Sequence, residues 1–516
     1  MNIQLRKLGA VLVMAVLTAA GCGGSSGGDS VSPPPPPPPS GGIIRTGVAV
    51  GVGPITGFGS VIVNGVTYNT DGATFTRDGS PAFQADFAVG ETVIVKGTID
   101  DDNTNAVAES VELDEIVKGP VSSVDANGNI TVLGQTVVIG MRASVDDSCP
   151  ASLNDPTIAA VEVYGSVIPG VDGNPDSIDA SRIECKTAGE VDEFEINGVV
   201  SSHNVGGAMT FMINGLKVDY STALSIDNFP GGAINDGDPI EAKGTVFDDS
   251  VDPPVLTATR VEFKGNVLDG NEGDHFEIEG FITDFNDSTD FSVRVGSFVL
   301  KVTTTGSTDY EGGSEMDLGD NLKVEIEGDV DDVSGVDVLV ATKIEIETST
   351  NVRVVGLVDA DVPAGGTTFK VLDVTINTDS LETRIEDKSD AGVPSLKVDM
   401  LRMGDYVEVR GQELPTGQIT AFIIERDDFD PNSDDTELRG FVETGGVNEP
   451  NSLTVLGVTI LTSEAKFIDS RGSTEVEFST PAEFWAAVGV GSLVDAKGVE
   501  SNIQELTATE VELEME

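Results

Sequence analysis

A six-residue phrase recurs along the chain, and this repetition constrains the fold more than any other feature. The phrase is Ala-x-x-Val/Ile-Glu-x, and its copies begin at Ala108, Ala180, Ala258, Ala341, Ala421 and Ala508. An apolar run ending in glycine precedes each copy, and these glycines are Gly97, Gly165, Gly244, Gly328, Gly411 and Gly498. Successive glycines are 68 to 87 residues apart, whereas solenoid repeats are about 20 to 50 residues long. Each repeat is therefore long enough to bury a core of its own.

The repeats are predicted to consist of short antiparallel strands, because Val, Ile and Thr alternate with polar residues and are bounded by Gly, Asp or Asn. Asn64-Gly65 and Asn214-Gly215 are typical of type I′ hairpin turns, in which both central residues have positive φ. In the last repeat, Pro481 to Val488 is compatible with a short helix. Repeat two departs most from the pattern, since Tyr164 stands where most other repeats have Lys or Arg.

These features predict an all-β fold of about six tandem small antiparallel β-barrels, OB-like, or sandwiches, arranged as independent beads along the chain. The predicted modules one to six span residues 47–118, 119–190, 191–270, 271–350, 351–432 and 433–516.

The N-terminus is typical of a secretory signal peptide over residues 1–21. Two basic residues precede an apolar stretch from Leu8 to Leu17, and small residues then lead to Cys22. The apolar stretch is about half of the roughly 20 residues that a membrane-spanning helix needs. The segment therefore predicts export rather than a transmembrane anchor.

Small residues directly before Cys22 resemble the lipobox of bacterial lipoproteins, although Ala19 replaces the usual Leu. This resemblance implies that Cys22 is acylated, and Gly23 after it implies sorting to the outer membrane. Residues 22–46 are rich in Gly, Ser and Pro, with seven consecutive prolines from Pro33 to Pro39. Such a segment is predicted to be a disordered stalk, because it cannot bury a core and polyproline is extended.

The chain is strongly acidic, with 29 Lys and Arg against 88 Asp and Glu and a formal net charge of −59. This charge opposes binding to nucleic acid, which requires Lys and Arg to neutralise phosphates. Only two histidines, His203 and His275, are present, and both are expected in surface loops. We find no nucleophile elbow, P-loop, H-E-x-x-H or C-x-x-C motif, so no catalytic residue is assigned.

Three stretches resemble a bacterial lipoprotein family with tandem domains of unknown function. They are ITGFGSVIVNGVTYNT (residues 55–70), VGETVIVKGTID (residues 89–100) and KGPVSSVDANGNITVLGQTVVI (residues 118–139), and the resemblance is looser beyond repeat two. The resemblance implies an exported protein of small β-rich domains. It implies no reaction, ligand or catalytic residue.

The glutamate of each phrase is predicted to face solvent, because it alternates with apolar residues that share the opposite face of the strand. These glutamates are Glu112, Glu184, Glu262, Glu345, Glu425 and Glu512.

Acidic clusters follow some of the glycine-terminated strands and are candidate calcium ligands, because Ca²⁺ binds closely spaced carboxylates. The candidates are Asp100, Asp101, Asp102, Asp428 and Asp430. The complete calcium-loop pattern is absent, and Asp is also an ordinary turn residue. Both interpretations stay open.

Cys149 and Cys185 are the other cysteines of the chain, and a disulfide between them is expected in an exported protein.

The sequence thus predicts a lipid-anchored outer-membrane protein with a non-catalytic binding, spacer or adhesion role. Its expected partners are the membrane, through the lipid, and an unidentified protein or surface ligand. No cofactor other than calcium is expected. The alternatives are a calcium-dependent structural rod and a carboxylate-based hydrolase with a site between repeats.

Overall fold

The computed structural model describes residues 48–515 except 101–103, 171–173, 205, 265–271, 297, 333–336, 431–435 and 473–474. The described residues belong to one compact unit and are mostly β-strands. None of the helices in this described part is long and apolar enough to cross a bilayer.

The first three modules contain twenty strands. In module one they are β1 (Ala49–Gly57), β2 (Val61–Val63), β3 (Val66–Asn69), β4 (Thr74–Arg77), β5 (Ser80–Ala82), β6 (Thr92–Ile99) and β7 (Asn105–Leu113). In module two they are β8 (Val117–Gly119), β9 (Val121–Val124), β10 (Ile130–Val132), β11 (Gln135–Val138), β12 (Ser144–Val145), β13 (Ala160–Ile168) and β14 (Ser177–Lys186). In module three they are β15 (Phe194–Asn204), β16 (Thr210–Ile213), β17 (Leu216–Asp219), β18 (Ser225–Asp227), β19 (Pro239–Asp248) and β20 (Val255–Phe263).

The last three modules contain nineteen strands. In module four they are β21 (His275–Asp287), β22 (Asp290–Val295), β23 (Phe298–Thr303), β24 (Asp309–Glu311), β25 (Lys323–Asp332) and β26 (Asp337–Ile346). In module five they are β27 (Val352–Leu357), β28 (Thr368–Val371), β29 (Val374–Asn377), β30 (Arg384–Asp387), β31 (Tyr406–Glu413) and β32 (Ile419–Asp427). In module six they are β33 (Thr436–Asn448), β34 (Ser452–Val455), β35 (Val458–Leu461), β36 (Lys466–Asp469), β37 (Val476–Glu477), β38 (Leu493–Asn502) and β39 (Glu505–Leu513).

Short helices precede the glycine-terminated strand in five modules. Four are 3₁₀ helices, at Gln84–Asp86, Pro230–Gly232, Glu315–Asp317 and Val398–Met400. The fifth is the α-helix α1 (Pro481–Ala487), which confirms the short helix predicted in the last repeat. Phe484 and Trp485 of α1 are buried, so this helix covers part of the core of module six.

Each module forms a small closed β-barrel, which confirms the predicted OB-like architecture. In module one, β1 pairs with β2 and β6, β2 pairs with β3, and β6 pairs with β7. The ring closes where β3 pairs in parallel with β7, the strand of the recurring phrase. The other modules repeat this strand order, although the first strand of module two is divided into β8 and β9.

The recurring glycine marks a β-bulge in every barrel. The register between the glycine-terminated strand and the phrase strand shifts at this glycine, which lies opposite the alanine of the phrase. A Cβ added at any of the six glycines would lie 2.0–2.4 Å from a carbonyl oxygen of the phrase strand. Only glycine fits at this position, which gives the physical reason for the repetition.

Replacing Gly411 with alanine should therefore lower the free energy of unfolding by about 2 kcal/mol or more, because the new Cβ would force two strands apart. The added atom would lie 2.1 Å from the carbonyl oxygen of Thr420. Gly189→Ala is the matched control, since nothing lies within 4 Å of a Cβ there. Denaturant unfolding of both variants measures the effect, and equal losses would contradict the bulge.

The modules pair through their first strands, so the prediction of independent beads is wrong. Module one joins module four where β1 pairs in parallel with β21, although two modules separate them in the sequence. Modules two and three join through β8 and β15, and modules five and six join through β27 and β33. Three sheets of thirteen strands result.

The hydrophobic cores follow this pairing. One core of buried residues extends through modules two and three, and another extends through modules five and six. The core of module four includes Val50, Val52 and Ile94 from module one. The first strands of the barrels thus gain backbone hydrogen-bond partners, and their apolar side chains gain packing partners, from another module.

Candidate functional site

The outer faces of the barrels meet at charged interfaces, and Arg182 on β14 lies at the centre of one. It is 2% exposed. Its guanidinium pairs with Asp146 and Glu184 of module two and with Glu386 of module five, at 2.9 Å for the last. It also donates a hydrogen bond to the carbonyl oxygen of Val89 in module one. One cation thus connects three modules.

The prediction that the phrase glutamates face solvent is wrong for most of them. Glu112 is the most exposed of the six, with 46% of its side chain accessible, whereas the side chain of Glu425 is 10% exposed. Glu425 pairs with Arg410 and Lys388, and it accepts a hydrogen bond from Ser144 of module two. Burial raises the pKa of Glu425, but the two cations outweigh burial and hold the pKa at about 2. Neighbouring barrels contact two of these glutamates, since Ser144 of module two bonds Glu425 and Arg77 of module one pairs with Glu184. Glu262 and Glu512 pair instead with cations of their own modules.

A cavity of about 220 Å³ lies where modules one, two, four and five meet. Glu325 and Glu345 line it from module four, and Glu382 lines it from module five. Two cations, Arg142 and Arg384, complete its charged wall. Glu325 lies on β25, Glu345 on β26 and Arg384 on β30. Glu382 lies in the turn before β30, and Arg142 lies in the turn before β12.

Two carboxyl groups of this cavity, those of Glu325 and Glu382, hold protons more tightly than usual. Burial, followed by the negative charges of Glu382 and Glu345, raises the pKa of Glu325 well above its ordinary value. Burial and the charge of Glu345 raise the pKa of Glu382 to about 7. Such groups can donate or accept a proton near neutral pH. However, pockets that bind drug-sized ligands have volumes of about 300–1,000 Å³, so this cavity accommodates water or a small ion better than a sugar.

The aspartates predicted to bind calcium lie in separate modules. Asp100 in module one accepts hydrogen bonds from the backbone N–H groups of Thr104 and Asn105, which is an ordinary role for a turn residue. Asp428 in module five accepts one from the backbone of Asp390. Neither Asp100, Asp428 nor Asp430 belongs to the clusters of three close His, Cys or carboxylate ligands found among the described residues. Calcium binding at these positions stays a prediction.

Cys149 and Cys185 form a disulfide in module two, with an S–S distance of 2.10 Å and a Cα–Cα distance of 4.9 Å. It joins the loop after β12 to the phrase strand β14. The predicted acylation site Cys22 and the calcium candidates Asp101 and Asp102 lie outside the described residues.

Both histidines lie on strands, which corrects the prediction of surface loops. His203 on β15 contacts the Tyr220 hydroxyl at 2.6 Å. His275 at the start of β21 is 2% exposed, because β1 and β25 flank it. Its Nδ1 is 2.8 Å from Asp329, and its Nε2 is 3.2 Å from Glu277. Burial disfavours its charge, but these two carboxylates outweigh burial and raise the pKa of His275 to about 9.

The charged His275 is expected to stabilise the fold of module four in a pH-dependent way, because its carboxylate partners lie in that module. Because the pKa rises from 6.5 to about 9 on folding, this stabilisation is complete below pH 6.5 and is lost as pH rises through 9. The difference in unfolding free energy between the wild type and His275→Gln should therefore shrink by about 3 kcal/mol between pH 6 and pH 9.5. Glu327, 4.0 Å from Nε2, adds to the negative surroundings.

Denaturant unfolding at the two pH values makes this measurement. His203→Gln is the control, because that imidazole bonds a tyrosine hydroxyl rather than a carboxylate. A difference for His275→Gln that is the same at both pH values would show that the imidazole does not pair with these carboxylates.

A family model described as a domain of unknown function (DUF5666) matches residues 52–112, 279–345, 355–425 and 439–512. These regions cover more than half of the chain. The chain belongs to this family. The matches fall on modules one, four, five and six, whereas modules two and three have the same strand order without a match. A comparison with curated proteins found no match.

Sequence reasoning missed Arg182, Glu325 and Glu382 as interface residues. A signal for the first interface was present in Tyr164, the departure seen in repeat two. Tyr164 is fully buried against the core of module one, and its hydroxyl accepts a hydrogen bond from Arg77 of that module at 2.8 Å. An aromatic ring in a position where most other repeats have Lys or Arg therefore indicated a covered outer face.

Proposed function

We propose that this chain is an exported lipoprotein of the outer membrane whose six barrels act together as one non-catalytic body. Its role is to space or display surfaces in the cell envelope, or to bind or adhere to a partner there. The lipid on Cys22 anchors it, and residues 22–46 form the stalk between the lipid and the barrels. No catalytic step is assigned to any residue.

The ion pairs of Arg182 are the observation that supports this role best. Burying a charge is costly unless it is paired. The buried Arg182 keeps its partners only while three modules stay packed around it, which is not expected of independent binding domains. Such contacts favour a fixed arrangement of the barrels, and a fixed arrangement suits a spacer or a display surface. The net charge of −59 keeps the remaining surface well hydrated.

Fatty-acid labelling and membrane fractionation in a bacterial host with two membranes test the anchor. The full chain should incorporate the label and sediment with the outer membrane, and Cys22→Ser should lose both properties. Ser25→Ala is the matched control, since it changes a nearby residue and leaves Cys22 in place. A Cys22→Ser protein that keeps the label and the membrane location would refute the proposal.

A further inference from the structure

Three carboxylates, from module one, from the segment between β7 and β8 and from module three, converge at a second junction. Asp78 lies in the turn between β4 and β5 of module one, Glu115 lies between β7 and β8, and Glu195 lies on β15 of module three. Each offers one oxygen, and these oxygens lie within 4.8 Å of one another. This junction is separate from the cavity at Glu325 and from the aspartates considered in the sequence.

Glu115 is the unusual member of this group. The residue is 3% exposed, and neither of its carboxylate oxygens has a hydrogen-bond partner among the described residues. Buried carboxylates are normally paired with a donor or a cation, because desolvation otherwise makes them very unfavourable. A group of this kind indicates a missing partner at the site.

Asn197 supplies a second buried oxygen without a partner in the described structure. Its side-chain nitrogen donates a hydrogen bond to the backbone carbonyl of Glu115 at 2.6 Å, so the amide lies against the same segment. Its Oδ1 has no hydrogen-bond partner among the described residues. Asn197 follows Glu195 by two positions on β15, which places both on one face of the strand.

The lysines at this junction do not balance the negative charge. Lys243 pairs with Glu195, and its Nζ is 3.9 Å from Asp78 and 3.5 Å from Glu241. A single ammonium group is thus shared among several carboxylates. Lys118 lies 2.7 Å from Glu162, another acidic residue. Negative charge therefore remains in excess around Glu115.

We propose that Asp78, Glu115 and Glu195 bind one Ca²⁺ ion that joins module one, the segment between β7 and β8, and module three. Calcium prefers oxygen ligands at about 2.3–2.6 Å, so two ligands of one ion lie at most about 5 Å apart, as the three carboxylates do. The unpartnered Oδ1 of Asn197, whose Nδ2 bonds the carbonyl of Glu115, is a further oxygen beside this segment. The side chain of Asp78 is 35% exposed, so water reaches the site and completes the coordination shell.

Calcium titration of the EDTA-treated full chain by calorimetry, in sodium chloride that screens the acidic surface, tests this site. The wild type should show one tight site, and Glu115→Gln and Asp78→Asn should each weaken it at least tenfold. Glu109→Gln removes the same charge from an exposed position on β7 and should bind like the wild type. Calcium should raise the Tm of the wild type and of Glu109→Gln but not that of Glu115→Gln.

A wild type without a tight site, as expected if Glu115 simply holds a proton, would overturn the proposal. So would a Glu115→Gln variant that keeps the site. If Glu115→Gln disturbs folding because Glu115 is buried, Asp78→Asn still tests the site, because Asp78 is largely at the surface. Loss of the calcium site would leave the proposed lipid anchor unaffected, since Cys22 is tested separately.

Discussion

Replacing Arg182 with alanine is expected to lower the free energy of unfolding by about 3–5 kcal/mol, because the change removes a buried cation and leaves three half-buried carboxylates without it. Arg260→Ala should cost less than about 1 kcal/mol. The two arginines occupy the same position in the recurring phrase, but 42% of the Arg260 side chain is exposed and its ion pairs lie within module three.

Denaturant unfolding of both variants therefore compares a buried junction with a solvated ion pair in the same local sequence. The large loss depends on Glu386 and Val89, which modules five and one contribute. Similar small losses for both variants would mean that these modules do not pack around Arg182 in solution. That result would also remove the main support for a single fixed body.

Removing the disulfide is the second change with a large expected effect. The two cysteines are 36 residues apart, and closing a loop of that size stabilises a fold by about 3–4 kcal/mol in the chain-entropy model. Cys149→Ser combined with Cys185→Ser should lower the free energy of unfolding by this amount. The effect should be concentrated in module two.

Reductant provides the control for this prediction. Dithiothreitol should destabilise the wild type to a similar extent and should leave the double variant unchanged. If thiol labelling shows that the wild type is fully reduced and its unfolding curve has not moved, the disulfide does not stabilise the fold.

The barrel itself was predictable from the sequence, because its determinants are local. The alternation of Val and Ile gave the strands, and Asn64-Gly65 gave a turn in which both residues have positive φ. At Asn214-Gly215 only Asn214 has φ in the left-handed region, so this second turn differs from the prediction. The sequence predicted that a strand ends at the repeated glycine, but the strand continues past it through a β-bulge. The reason for the glycine, the close approach of the phrase strand, required coordinates.

The packing between barrels was not predictable in the same way. Period-two alternation shows which side chains point away from their own barrel, but it does not show whether another barrel covers them. Glu425 was therefore assigned to solvent, although Ser144 of another module bonds it. The pairing of β1 with β21 could not be predicted either, since no local pattern in either strand identifies a partner from which two modules separate it in the sequence.

The junction at Glu115 was missed for a similar reason. Glu115 belongs to no recurring phrase, and Asp78 looks like an ordinary turn residue. Their approach to Glu195 depends on how modules one and three pack against each other. Sites formed by side chains from distant parts of a chain leave no spacing pattern in the sequence.

The parallel pairing of β1 with β21 constrains the order in which the barrels can be completed. Ala49 to Val52 of β1 need His275 to Ile278 as neighbours, yet synthesis delivers the N-terminal residues first. One backbone edge of the first barrel therefore stays unpaired, and open to aggregation, until the fourth barrel has been synthesised. A chaperone that shields this edge would act on the first barrel, and nascent chains that end before the fourth barrel should depend on it most.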